Sequence, residues 1–292
     1  ARLAKAATAQ IAWSDTSATG RSAFLNAVAQ ALRADSDRLA KLITLEMGKV
    51  FSEAQAEIAK CAVCCEHYAN HAESYLNPVE IASNASLSTV AFEPLGAVLA
   101  VMPWNYPFWQ FVRFAAPALA AGNAVLLKHA SNVPQCALAL EAVFRKAGAP
   151  DGLVTTLLVG SDAVAGLIAD DRVAAVTLTG STQAGAIVAA QAGAQIKKQV
   201  LELGGSDAFI VLEDADVAEA ARVGVRARFQ NAGQSCIAAK RFIVVEEVVE
   251  EFTRVFVEEA RKLVVGDPTD PATSMGPMAQ SRLRDELHAQ VQ

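Results

Sequence analysis

The chain has 292 residues, of which 53% are hydrophobic and 19% are charged, and its formal net charge is −6. This length and apolar fraction are typical of a compact α/β protein with room for two domains, and they exclude a disordered chain. Lys and Arg are scattered rather than clustered, so we expect no nucleic-acid partner. No apolar run reaches the ~18–20 residues that span a bilayer, so we expect no membrane association either.

The N-terminal sequence has no apolar core followed by a cleavage site, so we expect no signal peptide. The five cysteines are odd in number and irregularly spaced, which is typical of a reducing compartment and predicts a cytoplasmic protein. Cys61, Cys64 and Cys65 are close enough in sequence to suggest a metal site, but no second ligand pair accompanies them. The spacing of Ile58, Cys61, Cys65 and Tyr68 instead predicts a buried helical stripe and no metal.

Residues 1–78 are predicted to be helical, with amphipathic periodicity over 21–34 and 37–47 and a long helix from about 52 to 76. The stretch 81–94 is short and partly β-branched, and it predicts a hairpin or edge ribbon.

From Ala97 onward, short apolar runs alternate with helical segments. Continuous apolar strands separated by helices predict a parallel sheet that is covered on both faces, with ligands at the carboxyl ends of the strands. We predict strands at 97–102, 124–128, 153–159, 174–179, 209–212 and 241–245, with helices over 134–147, 163–169 and 248–263.

Three short segments are unusual for a core. Asn105 stands between large aromatic residues at a strand end, where its amide can donate a hydrogen bond. Glu202 follows apolar residues and precedes two glycines, so it is a candidate general base. Cys236 lies in a loop of small polar residues, where its thiol is a candidate nucleophile. Each has a simpler interpretation: Asn105 as a turn residue, Glu202 as a surface carboxylate and Cys236 as a small hydrophobic residue.

Together, Pro-Trp-Asn at 103–105, Leu-Glu-Leu-Gly-Gly at 201–205 and Gly-Gln-x-Cys at 233–236 resemble the aldehyde dehydrogenase superfamily. Glu-Met-Gly-Lys at 46–49 and Gly-Asp-Pro at 266–268 extend the resemblance through nearly the whole chain. The sequences at 101–107 and 127–132 are similar to those of the bacterial NAD(P)-dependent succinate-semialdehyde dehydrogenase branch. Family members extend beyond both ends of this chain, so we expect a truncated sequence from a homo-oligomeric parent.

The resemblance implies a Rossmann-type parallel sheet domain that binds the cofactor at 1–204, followed by an incomplete α/β catalytic domain at 205–292. It also implies the chemistry. The Cys236 thiolate adds to the aldehyde, and the Asn105 amide and the Cys236 backbone N–H hold the oxyanion. Hydride transfer then leaves a thioester, and Glu202 activates the water that hydrolyses it.

The sequence lacks a Gly-x-Gly-x-x-Gly fingerprint, but glycine and a hydroxyl precede a predicted helix at Gly180-Ser181, which is typical of a phosphate site. A plain helix cap is the simpler interpretation and is compatible with that role. The resemblance implies further cofactor residues, and the small, neutral Ser131 predicts that NADP is accepted and is preferred to NAD. The expected cofactor residues are Pro103, Trp104, Lys128, Ser131, Gly180, Ser181, Leu203 and Gly204.

The expected substrate residues are Trp109, Arg113 and Ser235. Trp109 and Arg113 share one face if the segment is helical. An arginine in an apolar stretch needs an anion, which is either a substrate carboxylate or an internal Asp or Glu. With the resemblance, the favoured substrate is succinate semialdehyde. Glutarate semialdehyde, an uncharged aliphatic aldehyde and a catalytically inactive cofactor-binding fragment are the alternatives.

Overall fold

The computed structural model describes residues 1–292. The chain divides into two units, one formed by Ala1–Leu39 and Gln55–Glu202, the other by Ala40–Ala54 and Leu203–Gln292. None of its helices combines the length and apolar character that crossing a membrane requires. The assignment of cofactor binding to 1–204 and of the nucleophile domain to 205–292 concerns roles and stays a prediction.

The predicted helical N-terminal region is present as α1 (Arg2–Ser14), α2 (Ala18–Ala34), α3 (Ser36–Met47) and α4 (Phe51–Leu76). Ser17 caps α2 by accepting the Gly20 N–H at 3.1 Å, which satisfies one of the donors that a helix leaves open at its first turn. A short antiparallel ribbon follows, made of β1 (Val79–Glu80) and β2 (Thr89–Val90). The predicted ribbon is therefore found, and it begins just before the predicted range.

A five-stranded parallel sheet forms the centre of the first unit, in the order β5-β4-β3-β6-β7. Its strands are β3 (Ala97–Met102), β4 (Ala124–His129), β5 (Val154–Thr156), β6 (Val173–Thr179) and β7 (Lys198–Glu202). Four of the five were predicted, although β5 is shorter than the predicted 153–159. The fifth, β7, was missed because it is an edge strand whose residues are mostly exposed and polar, so it lacks the apolar run that marks the others.

Helices cover the sheet. In chain order they are α5 (Trp109–Ala120), α6 (Pro134–Lys146), α7 (Val164–Ala169) and α8 (Thr182–Ala194). Helices α5 and α6 pack on β3, β4 and β5, while α7 and α8 pack on β6 and β7. Phe111, Leu126 and Phe144 are completely buried, and each contributes about 1.5–3 kcal/mol through removal of its side chain from water.

The second unit contains a parallel pair of strands, β8 (Ala208–Val211) and β9 (Arg241–Val244). Its helices are α9 (Val217–Phe229), α10 (Glu246–Ala260) and α11 (Ser281–Val291). Its core joins Val211, Val217, Ala221, Phe252 and Val255. These strands and α10 match the predicted elements to within two or three residues, because their apolar residues have the period of each element.

The backbone conformation and a close neighbour both require glycine at position 152. Its φ is +96°, and a Cβ at this position would lie 2.6 Å from the Lys5 carbonyl oxygen. We expect Gly152→Ala to lower the free energy of unfolding by about 1–3 kcal/mol, because the left-handed backbone and the steric clash both oppose a side chain. Gly148→Ala is the matched control, since Gly148 has a φ of +99° but nothing within 4 Å of the added atom. Equal losses for the two variants in urea unfolding would contradict the proposed clash.

Candidate active site

The predicted site residues of the first unit converge on the carboxyl edge of the sheet. In the strand register, Met102 at the end of β3 pairs with His129 at the end of β4, and Thr179 at the end of β6 pairs with Glu202 at the end of β7. Pro103, Ser131 and Gly180 follow directly or closely after these ends. The structure therefore brings the two predicted segments at 103–105 and 180–181 and the residue Glu202 to one edge, where parallel sheets bind ligands.

Asn105 lies in the loop between β3 and α5. Its Oδ1 accepts the Tyr106 N–H at 3.1 Å, which fixes the direction of the amide plane. Because the oxygen faces the backbone, the Nδ2 group is the end of the side chain directed away from it. This local contact is compatible with the turn interpretation, and the donor role of the Asn105 amide stays a prediction.

Glu57, which the sequence did not single out, holds the start of α5. Its Oε1 accepts the backbone N–H groups of Phe108 and Trp109 at 2.9 and 3.0 Å. Glu57 is 4% exposed, and N–H groups at a helix start have no acceptor within their own helix. Glu57 lies about fifty residues before α5 on another helix, so no local pattern in the sequence marks this contact.

His129 also contacts the loop between β3 and α5. Its Nδ1 accepts the Ala130 N–H at 2.9 Å, and its Nε2 lies 2.9 Å from the Pro107 carbonyl oxygen. Because Nδ1 accepts, Nε2 carries the proton and donates it to Pro107. Burial lowers the pKa of His129 to about 4, so the ring is neutral at pH 7.

Arg113 has an internal partner. Its Nη2 lies 3.2 Å from Glu202 Oε2 and donates to Thr179 Oγ1 at 3.4 Å. The alternative of an internal ion pair is therefore realised in this structure, and the carboxylate is the predicted general base. The Glu202 side chain is 53% exposed at the end of an edge strand, which agrees with its simpler interpretation as a surface carboxylate. A pair this exposed contributes little to stability, so another anion can displace it.

A cavity of about 640 Å³ opens beside this pair, within the first unit. Its walls are largely apolar and include Met102, Phe114 and Val176, with Arg113 and Glu202 among the polar side chains. Such a cavity suits a small, partly apolar molecule with one anionic group. Trp109 is not part of its wall, and its indole instead packs under the Lys60 ammonium at 4.0 Å from the ring centroid.

Two predicted cofactor positions show features that fit a dinucleotide. Lys128 is 8% exposed, and burial lowers the pKa of its ammonium, which makes an anionic or hydroxyl-rich partner favourable there. Ser181 caps α8 by accepting the Ala184 N–H at 3.2 Å. The positive end of the helix dipole therefore faces the carboxyl edge, where a phosphate group is stabilised. Gly180 donates its N–H to the Glu202 carbonyl at 3.0 Å.

The predicted nucleophile lies in the second unit. Cys236 is partly exposed and is a free thiol. Before it, Asn231, Ala232 and Gly233 are all left-handed, with φ values of 54°, 52° and 75°. Consecutive left-handed residues are strained for non-glycine side chains, so surrounding contacts must hold them.

Charged side chains supply those contacts. The Glu53 carboxylate accepts the Asn231 N–H at 3.0 Å, and the Arg228 guanidinium donates to the Gly233 carbonyl at 2.8 Å. The Lys240 ammonium donates to the carbonyls of Ser235 and Cys236 at 3.1 and 2.8 Å. The loop around Cys236 is therefore fixed by residues that the sequence did not predict for the site.

Leu203 and Gly204 begin the second unit and lead to Gly205. A Cβ on Gly205 would lie 3.8 Å from the Cys236 carbonyl oxygen. The Cys236 backbone is thus in van der Waals range of Gly205, whereas nothing lies within 4 Å of a Cβ on Gly204. Ser235, a predicted substrate residue, is 9% exposed.

Cys61 and Cys65 belong to the core, as predicted, and so does Cys136, whereas Cys64 is only partly buried. Cys61 and Cys65 are completely buried, and burial raises the pKa of the Cys64 thiol to about 11. A thiol with so high a pKa is a poor nucleophile at neutral pH. The structure shows no group of three or more His, Cys, Asp or Glu side chains that could hold a metal ion.

Residues 1–292 match the aldehyde dehydrogenase family. The chain belongs to this family. It is 54% identical over 272 residues to a protein of Synechocystis sp. named probable succinate-semialdehyde dehydrogenase [NADP(+)], covering 93% of this chain and 60% of that protein. It is also 54% identical over 274 residues to succinate-semialdehyde dehydrogenase [NADP(+)] of Mycobacterium avium, covering 93% of this chain and 58% of that one. The chain thus spans about 60% of the length of these relatives.

Solved structures confirm the predicted fold. Succinic semialdehyde dehydrogenase from Streptococcus pyogenes, in complex with NADP+, superposes with a TM-score of 0.96 at 37% identity, over 99% of this chain and 64% of that one. The protein Gox0499 gives a TM-score of 0.97 at 42% identity, with the same coverage. The α/β aldehyde dehydrogenase fold predicted from the three motifs is therefore correct.

The buried His129 predicts a specific pH dependence of stability. Because its pKa is lowered in the folded state to about 4, its contribution is complete above the unfolded pKa of about 6.5 and is lost as the pH falls through 4. We expect the native chain to lose up to about 3 kcal/mol relative to His129→Gln between pH 6.5 and 4, because glutamine cannot titrate. Urea unfolding across this range measures the difference, and parallel pH curves for the two proteins would contradict it.

Proposed function

We propose that this chain carries the catalytic groups of an enzyme that oxidises succinate semialdehyde to succinate with NADP or NAD. The observation that carries the proposal is Arg113, whose guanidinium lies in the wall of a largely apolar cavity and is only weakly held by Glu202. The names of the similar proteins from Synechocystis sp., Mycobacterium avium and Streptococcus pyogenes support the same substrate and the use of NADP.

The chain's own residues account for each proposed step. The Cys236 thiolate adds to the aldehyde carbon, and the Asn105 amide and the Cys236 N–H stabilise the negative oxygen that forms. When bound, the nicotinamide cofactor supplies the acceptor for the hydride of this adduct, which leaves a thioester on Cys236. Glu202 removes a proton from water as the water attacks the thioester, and the carboxylic acid and the free thiol are released.

The proposed cofactor site uses the same edge of the sheet. The N-terminus of α8, with Gly180 and Ser181, suits a phosphate group. Lys128 suits a ribose hydroxyl or a 2′-phosphate, and the exposed Ser131 leaves room for that phosphate without charge repulsion. Pro103, Trp104, Leu203 and Gly204 are proposed to complete the site. We also propose a cytoplasmic setting, in which the five free cysteines stay reduced, and a homo-oligomeric parent protein.

Binding of the proposed substrate to Arg113 would also affect Glu202, because the two side chains form an ion pair. A substrate carboxylate that binds Arg113 competes with Glu202, whose side chain is then released from the ion pair. An uncharged aldehyde lacks this ability. The anionic substrate is therefore selected both by its own contact with Arg113 and by its effect on the general base.

We expect Arg113→Ala to lower kcat/KM for succinate semialdehyde by about 10- to 100-fold, the scale of one charge-assisted hydrogen bond. The rate with butanal, which has the same chain length but no carboxylate, should change by less than about 3-fold. The measurement is the initial rate of NADPH formation. Arg145→Ala is the matched control, since Arg145 pairs with Glu141 on a distant helix.

An equal loss with both aldehydes would remove Arg113 from substrate recognition and leave it a structural partner of Glu202. A native chain that prefers butanal would favour an uncharged aliphatic substrate, and a preference for glutarate semialdehyde would favour the longer acid. An absence of NADPH formation with every aldehyde would contradict the proposed activity of this chain.

A further inference from the structure

The loop 103–109 is held by two buried side chains to which the catalytic steps above give no role. Glu57 reaches it from α4 and accepts two N–H groups, while His129 reaches it from the end of β4 and donates to the Pro107 carbonyl. Glu57 is 4% exposed and His129 is 5% exposed. Polar groups buried to this extent are costly unless their hydrogen bonds are made, so both contacts constrain the loop strongly.

Glu57 holds the loop at the start of α5. The N–H groups of Phe108 and Trp109 are at the start of α5, where the helix provides no acceptor. The next amide, that of Gln110, already donates to the Tyr106 carbonyl at 3.0 Å. Glu57 therefore binds the two helix-start donors, and its negative charge also lies at the positive end of the helix dipole.

This loop carries Asn105, whose side-chain amide is the proposed oxyanion donor. Asn105 lies three residues before Phe108, and its amide is oriented by the Tyr106 N–H. An oxyanion donor acts only when it lies at hydrogen-bond distance from the place where charge develops, so a small displacement is expensive in rate.

We propose that Glu57 and His129 are positioning residues, which together set the place of the Asn105 amide for the reaction. The proposal rests on the proposed function for its effect on rate. The Glu57 bonds fix the distance between the loop and α4. The His129 bond fixes the position of the loop relative to the end of β4. Neither side chain contacts substrate in this proposal.

The test for Glu57 is a double-mutant cycle with Asn105. Glu57→Ala is expected to lower kcat by about 10- to 100-fold in the native background and by less than about 3-fold in Asn105→Ala. The effect is smaller in the second background because Asn105→Ala has no side-chain amide for a shift of the loop to displace. Glu57→Gln retains a carbonyl acceptor and is expected to recover part of the rate. Glu141→Ala is the control, because Glu141 likewise accepts a backbone N–H, that of Thr156 at 2.7 Å, on a distant helix. Equal losses from Glu57→Ala in both backgrounds would overturn the positioning role.

His129 has a pair of variants that separate its two bonds. Asparagine can replace Nδ1 and keep the Ala130 contact, whereas glutamine reaches the place of Nε2 and can keep the donor to Pro107. We expect His129→Asn to lower kcat by at least about 5-fold more than His129→Gln, and the difference to disappear in Asn105→Ala. A larger loss in His129→Gln would overturn the role of the Pro107 bond.

Amide hydrogen exchange tests the proposal without turnover. Glu57→Gln, which is the milder change, and Glu57→Ala should both speed exchange at Phe108 and Trp109 while leaving β3 and the middle of α5 protected. Unchanged exchange at these two amides would overturn the proposal, even in an inactive chain. A native chain that forms no NADPH but shows the faster exchange in the variants would refute the proposed activity and support the hold on the loop.

Discussion

The carboxyl edge of the five-stranded parallel sheet is the constraint on which the site of the first unit depends. Parallel strands all end at the same edge, so residues that are far apart in sequence become neighbours there. The register places the end of β3 beside that of β4 and the end of β6 beside that of β7. The sheet interior is apolar and closely packed, which makes this edge a rigid base. Its loops then need only short-range contacts to direct their functional groups.

Charged and polar side chains provide several of those contacts by bonding to backbone groups. Glu57 and Glu53 accept backbone N–H groups, and Arg228 and Lys240 donate to backbone carbonyls. Arg113 and Glu202 instead form an ion pair between side chains that are 28% and 53% exposed. Solvent weakens such a pair. The fixed contacts shape the site, and the weak one is the contact that a ligand can exchange.

The fold was largely predictable from sequence, because buried strands and amphipathic helices leave a periodic pattern. The edge strand β7 was not, since its exposed residues carry no such pattern. Cys236, Glu202 and Asn105 were found as members of ordered motifs. Glu57 was missed because its partners lie more than fifty residues away. The exposure of Glu202 agrees with its simpler interpretation as a surface carboxylate, and its role as general base stays a prediction. Residue contacts across a fold are properties of packing, which one sequence does not encode locally.

We propose that Cys236 forms a thioester that Glu202 helps to hydrolyse. The decisive measurement is the mass of the Cys236 peptide after Glu202→Gln is mixed with succinate semialdehyde and NADP and quenched in acid. We expect this peptide to gain the mass of a succinyl group and the adduct to accumulate as NADPH forms, and we expect Cys236→Ala to show neither. An unmodified Cys236 peptide in a sample that has produced NADPH, or an adduct at another cysteine, would show that the thioester does not form on Cys236.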